Sequence, residues 1–315
     1  MRVTALVVTY NHGPFIAGAL ESALRQETSF DYEILVSEDR STDGTREIVL
    51  DYQRRHPDRI RLILSERNLR SNAVVARGIR AARGEFIALL DGDDLWTSPH
   101  KLQKQVDFLD SHPDCALCFH NAQVVHEDGS RPPWLWTPQG QKAISTLTDL
   151  WRGNFIATAS AMLRRARIGD IPAWYDSLFP ITDWPLYILA AENGAIGYLD
   201  EVMCLYRYHA GGLYSSKTEA EKLEATAQFY RIMDANTGRR YHSIVRAAYS
   251  TYFFEWAEEY LKRRDLGRAR TCLVRTLMGG GVGDGVSWQA FTRLTARLAL
   301  EPWRRRSRKS RPAAT

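Results

Sequence analysis

Cysteine is scarce in this sequence, with four residues among 315. Small secreted folds that depend on disulfides are dense in cysteine, so this chain is not expected to be one of them. Cys115 and Cys118 form a Cys-x-x-Cys pair, but no second pair follows that could complete a metal site. The surrounding "CALCF" has the character of a buried strand, in which these two side chains point to opposite faces. We therefore predict core cysteines at both positions.

Long apolar runs are also missing. No stretch reaches the roughly 18 apolar residues that a membrane-spanning helix needs. The opening "MRVTALVVTYNH" has a short apolar run that ends in polar turn residues, unlike a secretory signal. We therefore expect a cytoplasmic protein without a membrane span.

A net positive charge is missing from most of the chain. Six Lys and Arg residues lie between Arg304 and Arg311, and without them the formal charge falls from +5 to −1. The body of the protein therefore has no broad basic surface for nucleic acid. Residues 301–315 are predicted to form a basic, disordered tail. An alternative is peripheral contact of this tail with anionic lipid at the inner face of the membrane.

Short β-branched or apolar runs alternate with helical patterns through the first half of the chain. The runs "VTALVV", "EILV", "IRLIL" and "EFIALL" occur in residues 1–112, separated by helix-like segments. This alternation predicts an α/β fold with a mainly parallel sheet between helices. Residues 113–215 mix strands and helix less regularly and are expected to form a partly antiparallel half of the same domain. In residues 216–300, apolar residues recur at helical spacing, which predicts an α-helical extension with a flexible glycine-rich loop at 278–287.

Polar residues stand where the predicted strands end, and ligands of parallel sheets gather at such ends. They are Thr9, Tyr10, Asp39, Asp91 and Asp93. Ionised carboxylates crowded beside a buried strand repel one another, and a bound divalent cation relieves that repulsion. The Asp-x-Asp spacing around Gly92 suits Mg²⁺ or Mn²⁺, which prefer oxygen ligands. A charged turn capped by Asp94 is the alternative.

Four motifs follow one another along the chain: "VVTYNH", "VSEDRSTDGT", "GEFIALLDGDDLW" and "TDWPLYILAAENGAIGYLDEVMCLYRYHAGG". On these motifs the sequence resembles the inverting family 2 glycosyltransferases, which have the GT-A fold, over about residues 3–212. The resemblance implies metal-dependent transfer of one sugar from a UDP- or dTDP-sugar to a hydroxyl group. The acceptor that it implies is a growing surface glycan or a lipid-linked saccharide.

The same resemblance implies roles for single residues. It implies that Thr9 and Tyr10 line the nucleotide pocket, that Asp39 binds the uracil or thymine ring, and that Asp91 lies near the ribose and diphosphate. It also implies that Asp93 binds the metal, that His209 lies near the diphosphate or metal, and that Asp183 is the general base. The chemistry needs such groups, because the leaving diphosphate requires positive charge and the acceptor hydroxyl requires a base. Asn72 is a further candidate for nucleotide contact, and Arg207 is an alternative phosphate partner.

The sequence departs from the family pattern at three places. Glu38 stands where the family usually has an aspartate, and Thr182 replaces the acid that precedes the base. The Gln-x-x-Arg-Trp motif of processive synthases is absent. We therefore expect addition of one sugar per encounter.

The acceptor side has fewer sequence signals. Trp134, Trp136, Trp151 and Asn154 fall in the half that should bind the acceptor, and indole rings can pack against sugars as well as in a core.

One alternative function is a non-catalytic nucleotide-binding or scaffold protein of the same fold. Another is a sugar nucleotidyltransferase, but "TYNHGPF" lacks the glycine-rich basic loop that such an enzyme would carry after its first strand.

Overall fold

Ten β-strands and eleven α-helices form in the computed structural model, which describes residues 1–309 and the side chains of residues 1–300. The strands are β1 Val3–Thr9, β2 Tyr32–Glu38, β3 Ile60–Leu64, β4 Phe86–Asp91, β5 Leu95–Trp96, β6 Cys115–His126, β7 Trp134–Leu135, β8 Ile144–Ser145, β9 Met162–Arg164 and β10 Ala195–Tyr208. The helices are α1 Ile16–Leu24, α2 Thr45–Arg55, α3 Ala73–Ala81, α4 Lys101–Ser111, α5 Leu147–Arg152, α6 Arg165–Ile168, α7 Asp183–Ala191, α8 Glu219–Asn236, α9 His242–Lys262, α10 Leu266–Met278 and α11 Trp288–Lys309. Short 3₁₀ helices span Thr158–Ser160 and Ala173–Leu178.

The strands join in one sheet, in the order β3-β2-β1-β4-β9-β6-β10-β5, with β7 beside β6 and β8 beside β10. Strands β3, β2, β1 and β4 run parallel to one another. Strand β9 is antiparallel to both β4 and β6, and β10 is parallel to β6. Because β9 is antiparallel to both of its neighbours, β4 and β6 run in the same direction. Strands β4, β6 and β10 therefore all end at the same edge of the sheet. The predicted α/β fold, with a mainly parallel sheet and a partly antiparallel second half, is confirmed.

The central strands are buried on both faces. Every residue of β2 is buried, as are five of the six residues of β4. Strands covered on both sides by helices are expected to be nearly continuous apolar runs, as "EILV" and "EFIALL" are. On one face, the core joins β1 and β4 to apolar residues of α1 and α4. This packing holds the strand ends in place.

The chain divides into two compact units. The first comprises Met1–Leu150 with Asn154–Ile232, and the second comprises Trp151–Gly153 with the chain from Met233 onward. The first unit thus extends past residue 215, where the sequence pattern placed the start of the helical extension. The reason is aromatic packing inside the first unit, because Trp184 of α7 stacks on Phe229 of α8 with 4.3 Å between ring centroids.

In the second unit, the glycine-rich loop packs closely on α9. The amide of Gly281 donates to the Ser250 hydroxyl at 3.0 Å, and a Cβ at Gly281 would lie 2.8 Å from the same oxygen. The loop predicted to be flexible is therefore packed against a helix through glycines that allow close backbone approach.

The last helix, α11, continues to Lys309, whereas the sequence predicted disorder from residue 301. Residues 310–315 lie outside the described part of the chain, and so do the side chains of the basic run at Arg304–Arg311. Within residues 1–309, none of the helices combines the length and the apolar character needed to cross a bilayer.

Candidate functional site

The carboxyl ends of β1, β2 and β4 bring three sequence motifs side by side. In the sheet register, Thr9 pairs with Glu38 and Val8 pairs with Asp91. Just beyond the strands, the Asp39 amide donates to the Thr9 carbonyl at 3.0 Å, and the Gly92 amide donates to the Val8 carbonyl at 2.9 Å. Parallel pairing therefore places the polar residues of "VVTYNH", "SED" and "DGDD" at one edge.

Gly92 allows the Asp-x-Asp turn to lie against the end of β1. A Cβ at this position would lie 2.6 Å from the Thr9 hydroxyl oxygen and 2.8 Å from Nδ1 of His12. Both distances are shorter than real Cβ contacts. Glycine is therefore required here for close approach.

Asp93 lies between two histidines. Its Oδ2 is 3.1 Å from Nε2 of His209 and 3.5 Å from Nε2 of His12, and all three side chains are at most 14% exposed. Burial opposes ionisation of Asp93, but His12 and His209 outweigh burial and lower the pKa of Asp93. In turn the hydrogen bond with Asp93 raises the pKa of His209, whereas burial lowers the pKa of His12. The predicted pair of Asp93 and His209 is thus together, and His12 joins it.

His12 was not among the residues selected from the sequence. Its position three residues after Thr9, at the end of a buried strand, is a usable signal, because such strand ends meet at the ligand edge. A hydrogen bond of 3.3 Å between Thr9 Oγ1 and His12 Nδ1 orients the ring.

Asp94 has a structural role. It is 1% exposed, and its Oδ1 accepts a hydrogen bond from the Arg207 amide at 2.8 Å. The Arg207 guanidinium Nε donates to the Asp93 carbonyl at 2.9 Å. Burial together with Asp93 and Asp91 raises the pKa of Asp94 well above its usual value. Asp94 and Arg207 therefore connect β10 to the Asp-x-Asp turn, and this connection brings His209 to Asp93.

Asp91 and Asp183 line one pocket. Its other lining residues are Leu6, Val8, Val75, Leu89, Leu90, Thr158, Thr182 and Leu186. Burial, followed by the charges of Asp93 and Asp183, raises the pKa of Asp91 to about 8. The first aspartate of the Asp-x-Asp motif is therefore coupled electrostatically to the predicted base.

Asp183 is the first residue of α7. Its Oδ2 accepts hydrogen bonds from Asn154 Nδ2 at 3.1 Å and from the Thr158 hydroxyl at 3.3 Å. Burial raises the pKa of Asp183, and hydrogen bonds from the Trp184 amide, Asn154 and Thr158 partly offset that rise. A buried carboxylate with a raised pKa has the character of a general base.

Asp39 is held by the segment that follows β3. Its Oδ1 accepts from the Ser65 hydroxyl at 2.7 Å, and the Leu69 amide donates to both carboxylate oxygens. Among the described residues, Oδ2 accepts only this shared bond, so it keeps capacity for a further donor. Beside Asp39, the side chain of Glu38 is fully buried and paired with Arg46. Tyr10, at 39% exposure, presents its ring at the same edge.

Asn72 is placed differently from the nucleotide contact predicted for it. Its side chain is fully buried, and Nδ2 donates to the carbonyls of Tyr175 at 3.0 Å and Ile181 at 2.8 Å. It therefore offers no surface to a nucleotide and instead holds the segment that leads to Asp183.

The predicted acceptor residues fall into two groups. Trp151 is fully buried and packs against Tyr241, so its indole offers no face to an acceptor. Trp134 is 45% exposed and stacks on Trp136 at 6.0 Å, and Trp136 contacts Tyr206 at 5.4 Å. We call Trp134, Trp136 and Tyr206 the aromatic row. Burial and the charges of Asp94, Asp93, Asp91 and Asp183 raise the pKa of Tyr206 well above its usual value. The inner end of the aromatic row thus lies close to the carboxylates.

The residues present fit a divalent cation that completes its coordination with substrate. In the described part of the chain, no group of three or more His, Cys, Asp or Glu side chains is arranged to hold a metal ion. Asp93 and His209 offer one oxygen and one nitrogen ligand, and Mg²⁺ or Mn²⁺ commonly takes one or two protein carboxylates plus phosphate oxygens. Burial, followed by the negative charges of Asp93 and Asp183, raises the pKa of Asp91, and a bound cation nearby would favour the ionised form of this carboxylate.

Comparison with known proteins finds matches in family, sequence and structure. The model of the family described as "Glycosyl transferase family 2" matches residues 4–169. An uncharacterised protein of Mycobacterium tuberculosis is 34% identical over 314 residues, covering 96% of this chain and 85% of its own length.

Two solved structures share the fold. Residues 1–349 of TarS from S. aureus, in complex with UDP-GlcNAc, align with a TM-score of 0.65 at 18% identity, covering 98% of this chain and 92% of that one. The mannosyltransferase PcManGT from Pyrobaculum calidifontis, in complex with GDP-Man and Mn²⁺, aligns with a TM-score of 0.55 at 20% identity, covering 96% and 82%.

Proposed function

Because this chain belongs to glycosyl transferase family 2, we propose that it transfers one sugar from a UDP- or dTDP-sugar to a hydroxyl group of an acceptor, with inversion at the anomeric carbon. The observation that carries the proposal is the meeting of four side chains at one sheet edge: Asp93, His209, Asp91 and Asp183. The two candidate metal ligands, Asp93 and His209, and the candidate base, Asp183, come from separate elements. TarS and PcManGT, which share the fold, were solved with nucleotide sugars.

The nucleotide would bind at the ends of β1 and β2. Asp39 keeps a free acceptor position on Oδ2, which suits the ring N–H of uracil or thymine. Thr9 and Tyr10 line the same edge, and Tyr10 is exposed enough to contact a base or ribose. In this arrangement Asp91 faces the ribose and diphosphate.

Asp93 and His209 would hold a Mn²⁺ or Mg²⁺ ion together with the diphosphate. When bound, such an ion supplies positive charge that stabilises the leaving diphosphate. The residues of the chain orient this site, because Arg207 and Asp94 join β10 to the turn that carries Asp93.

Asp183 would act as the general base. The acceptor hydroxyl gives its proton to the Asp183 carboxylate while its oxygen bonds to the anomeric carbon, and the bond from that carbon to the phosphate oxygen breaks. A single displacement of this kind inverts the anomeric configuration. One base is sufficient for it.

The acceptor would approach along the aromatic row. Its exposed outer member, Trp134, and its inner member, Tyr206, are connected through Trp136, and flat aromatic faces combine apolar contact with polar edges. This supports a saccharide or lipid-linked saccharide as acceptor. We propose that it is elongated by one sugar per encounter, because the Gln-x-x-Arg-Trp motif of processive synthases is absent. Replacing Trp134 by alanine should raise the acceptor KM and leave donor affinity unchanged.

Calorimetry with UDP, dTDP, GDP and CDP, with and without Mn²⁺, tests the donor site. Wild type should bind UDP or dTDP in a metal-dependent manner, and Asp93→Asn should lose roughly tenfold or more of that affinity. Asp51→Asn, at a half-buried aspartate on α2, is the matched control and should bind as wild type does. Equal, metal-independent binding by wild type and Asp93→Asn would contradict the proposal.

Turnover separates the enzyme from the alternatives. A nucleotide-sugar panel with simple glycoside acceptors should release nucleoside diphosphate, and NMR of the product should show the inverted anomer. Nucleotide binding with no turnover on any acceptor would instead favour the hypothesis of a non-catalytic scaffold protein. Formation of nucleotide sugar from a nucleoside triphosphate and a sugar phosphate would favour the nucleotidyltransferase.

A further inference from the structure

The two oxygens of the Asp183 carboxylate are bonded unequally. Oδ2 accepts from Asn154 Nδ2 at 3.1 Å and from Thr158 Oγ1 at 3.3 Å, whereas Oδ1 accepts from the Trp184 amide at 2.7 Å. Each carboxylate oxygen offers about two acceptor positions. The bonds from Asn154 and Thr158 therefore fill Oδ2 and leave one position on Oδ1.

Asn154 is itself oriented by the backbone. Its Oδ1 accepts from the Ile156 amide at 3.1 Å, so its Nδ2 faces Asp183. The amide can neither rotate nor flip without losing one of these two bonds. Asn154 therefore presents a donor of defined direction.

Thr158 stands on a short 3₁₀ helix, Thr158–Ser160, that the sheet and α4 hold firmly. The Leu89 amide of β4 donates to the Ala161 carbonyl at 3.1 Å. The Trp96 indole donates to the Ala159 carbonyl at 2.9 Å, and Gln105 donates to the Ser160 carbonyl at 2.9 Å. The hydroxyl of Thr158 is thus offered from a rigid element, as a positioning group needs.

The backbone before Asp183 is held as well. Asn72 bonds to the carbonyls of Tyr175 and Ile181, and the Tyr175 hydroxyl donates to the Thr182 carbonyl at 2.6 Å. Thr182 occupies the position of the acid expected before the base, so no second carboxylate precedes Asp183 to orient it.

We propose that Asn154 and Thr158 are positioning residues that hold Oδ2 of Asp183 and so direct Oδ1 to receive the proton of the acceptor hydroxyl. This inference rests on the proposed function. In the step, the hydroxyl O–H bond breaks and its proton goes to Oδ1. The acceptor oxygen bonds to the anomeric carbon, whose bond to the phosphate oxygen breaks, and the nucleoside diphosphate leaves.

The positioning bonds have a second effect, on proton affinity. Burial raises the pKa of Asp183, while Asn154 and Thr158 lower it, so removing either donor should raise it further. The groups that face Asp183 are Tyr187 on the same helix and, from other elements, Asp91 at the end of β4, Tyr175 and Tyr206 of β10. The tyrosines, whose pKa values are raised, stay neutral. Thr158 also lowers the pKa of Asp91 through a side-chain hydrogen bond, so Asn154→Ala is the variant that removes a donor from Asp183 alone. Because a base works only when deprotonated, the acidic limb of the kcat/KM profile should move to higher pH.

The test compares Thr158→Val, Thr158→Ser and Asn154→Ala in the full-length protein, with Asn193→Ala, an exposed asparagine beyond α7, as control. The readout is nucleoside diphosphate release from the donor that wild type uses, with a simple alkyl glycoside as the hydroxyl probe, across pH. Thr158→Val and Asn154→Ala should lose about 10- to 100-fold in kcat with donor KM unchanged. Both should also shift the acidic limb upward. Thr158→Ser, which keeps the hydroxyl, should restore both properties, and Asn193→Ala should match wild type.

Two outcomes overturn the inference in distinguishable ways. If wild type transfers sugar but Thr158→Val keeps the wild-type profile, or Thr158→Ser behaves as Thr158→Val does, then the positioning role alone is wrong. If wild type binds nucleotide but transfers sugar to no acceptor, the proposed function fails and the positioning role fails with it. Donor affinity measured by calorimetry on each variant checks that the site is folded.

Discussion

At the scale of single residues, Lys101 is the clearest case of a buried charge outside the candidate site. It is fully buried on α4, its Nζ has no hydrogen-bond partner among the described residues, and it lies 4.2 Å from the centre of the Trp96 ring. Burial lowers the pKa of Lys101 from 10.5 to about 7. Burial of Lys101 therefore favours unfolding most strongly below about pH 7, and this cost decreases as the pH rises towards 10.5, because the folded protein releases the proton in that range before the unfolded chain does.

Lys101→Met should stabilise the protein most at neutral pH and below. For wild type, the free energy of unfolding should rise with pH from about 7 towards 10.5, by roughly 2 kcal/mol over the first two pH units. The variant should lack this rise and should be the more stable protein at pH 7. Denaturant unfolding at pH 7, 8 and 9 measures this. Lys104→Met, at a half-buried lysine on the same helix, is the control that should keep the wild-type dependence of stability on pH. If the free energy of unfolding changed with pH equally in wild type and Lys101→Met, the lowered pKa assigned to Lys101 would be wrong.

At the scale of elements, the close approach of the Asp-x-Asp turn to the end of β1 depends on Gly92. Gly92→Ala should push apart Thr9 and His12, whose atoms lie 2.6 and 2.8 Å from the added Cβ. We expect a loss of about 1–3 kcal/mol in unfolding free energy and a weaker metal-dependent nucleotide affinity. Gly18→Ala on α1, where nothing lies within 4 Å, is the matched control and should be neutral or stabilising. Unchanged nucleotide binding by Gly92→Ala would argue against this packing.

The contact of the glycine-rich loop with α9 gives a second prediction at this scale. Gly281→Ala would overlap the Arg246 carbonyl oxygen and come within 2.8 Å of the Ser250 hydroxyl. It should cost roughly 2 kcal/mol of unfolding free energy while nucleotide affinity, measured by calorimetry, stays at the wild-type value. Gly267→Ala on α10, whose nearest neighbouring atom is 3.7 Å away, should not destabilise. Wild-type stability for Gly281→Ala would mean that the loop is not packed as described.

At the scale of the whole molecule, the formal charge of +5 comes from the six basic residues between Arg304 and Arg311. Replacing all six by glutamine should abolish binding to phosphatidylglycerol vesicles at low salt, because each basic residue contributes roughly 1 kcal/mol near such a surface. Co-sedimentation with these vesicles, against phosphatidylcholine vesicles, provides the measurement. Equal binding of both proteins, or binding that persists at high salt, would exclude an electrostatic tail contact.

Several site residues could be predicted because their signal is local. Asp91 is the last residue of buried strand β4, and Asp39 and Asp93 follow β2 and β4 by one and two residues. Parallel pairing brings such strand ends together whatever the intervening loops do. Asn72 could not be placed this way, because its partners, Tyr175 and Ile181, are 103 and 109 residues away in sequence. Nothing in the composition of "RSNAVV" distinguishes an amide that faces a nucleotide from one that bonds to distant carbonyls.

The amino-acid sequence by itself determined the α/β class, the alternation of strands and helices, and the placement of carboxylates at strand ends, because these follow from local periodicity and from the geometry of parallel sheets. Only the tertiary structure decided which polar groups meet. The bonds of Asn154 and Thr158 to Asp183, and the approach of His12 to Asp93, join residues 29, 25 and 81 positions apart. Hydrogen bonds depend on distances of about 3 Å between atoms, and such distances across a folded sheet are set by packing, which leaves no periodic trace in the chain.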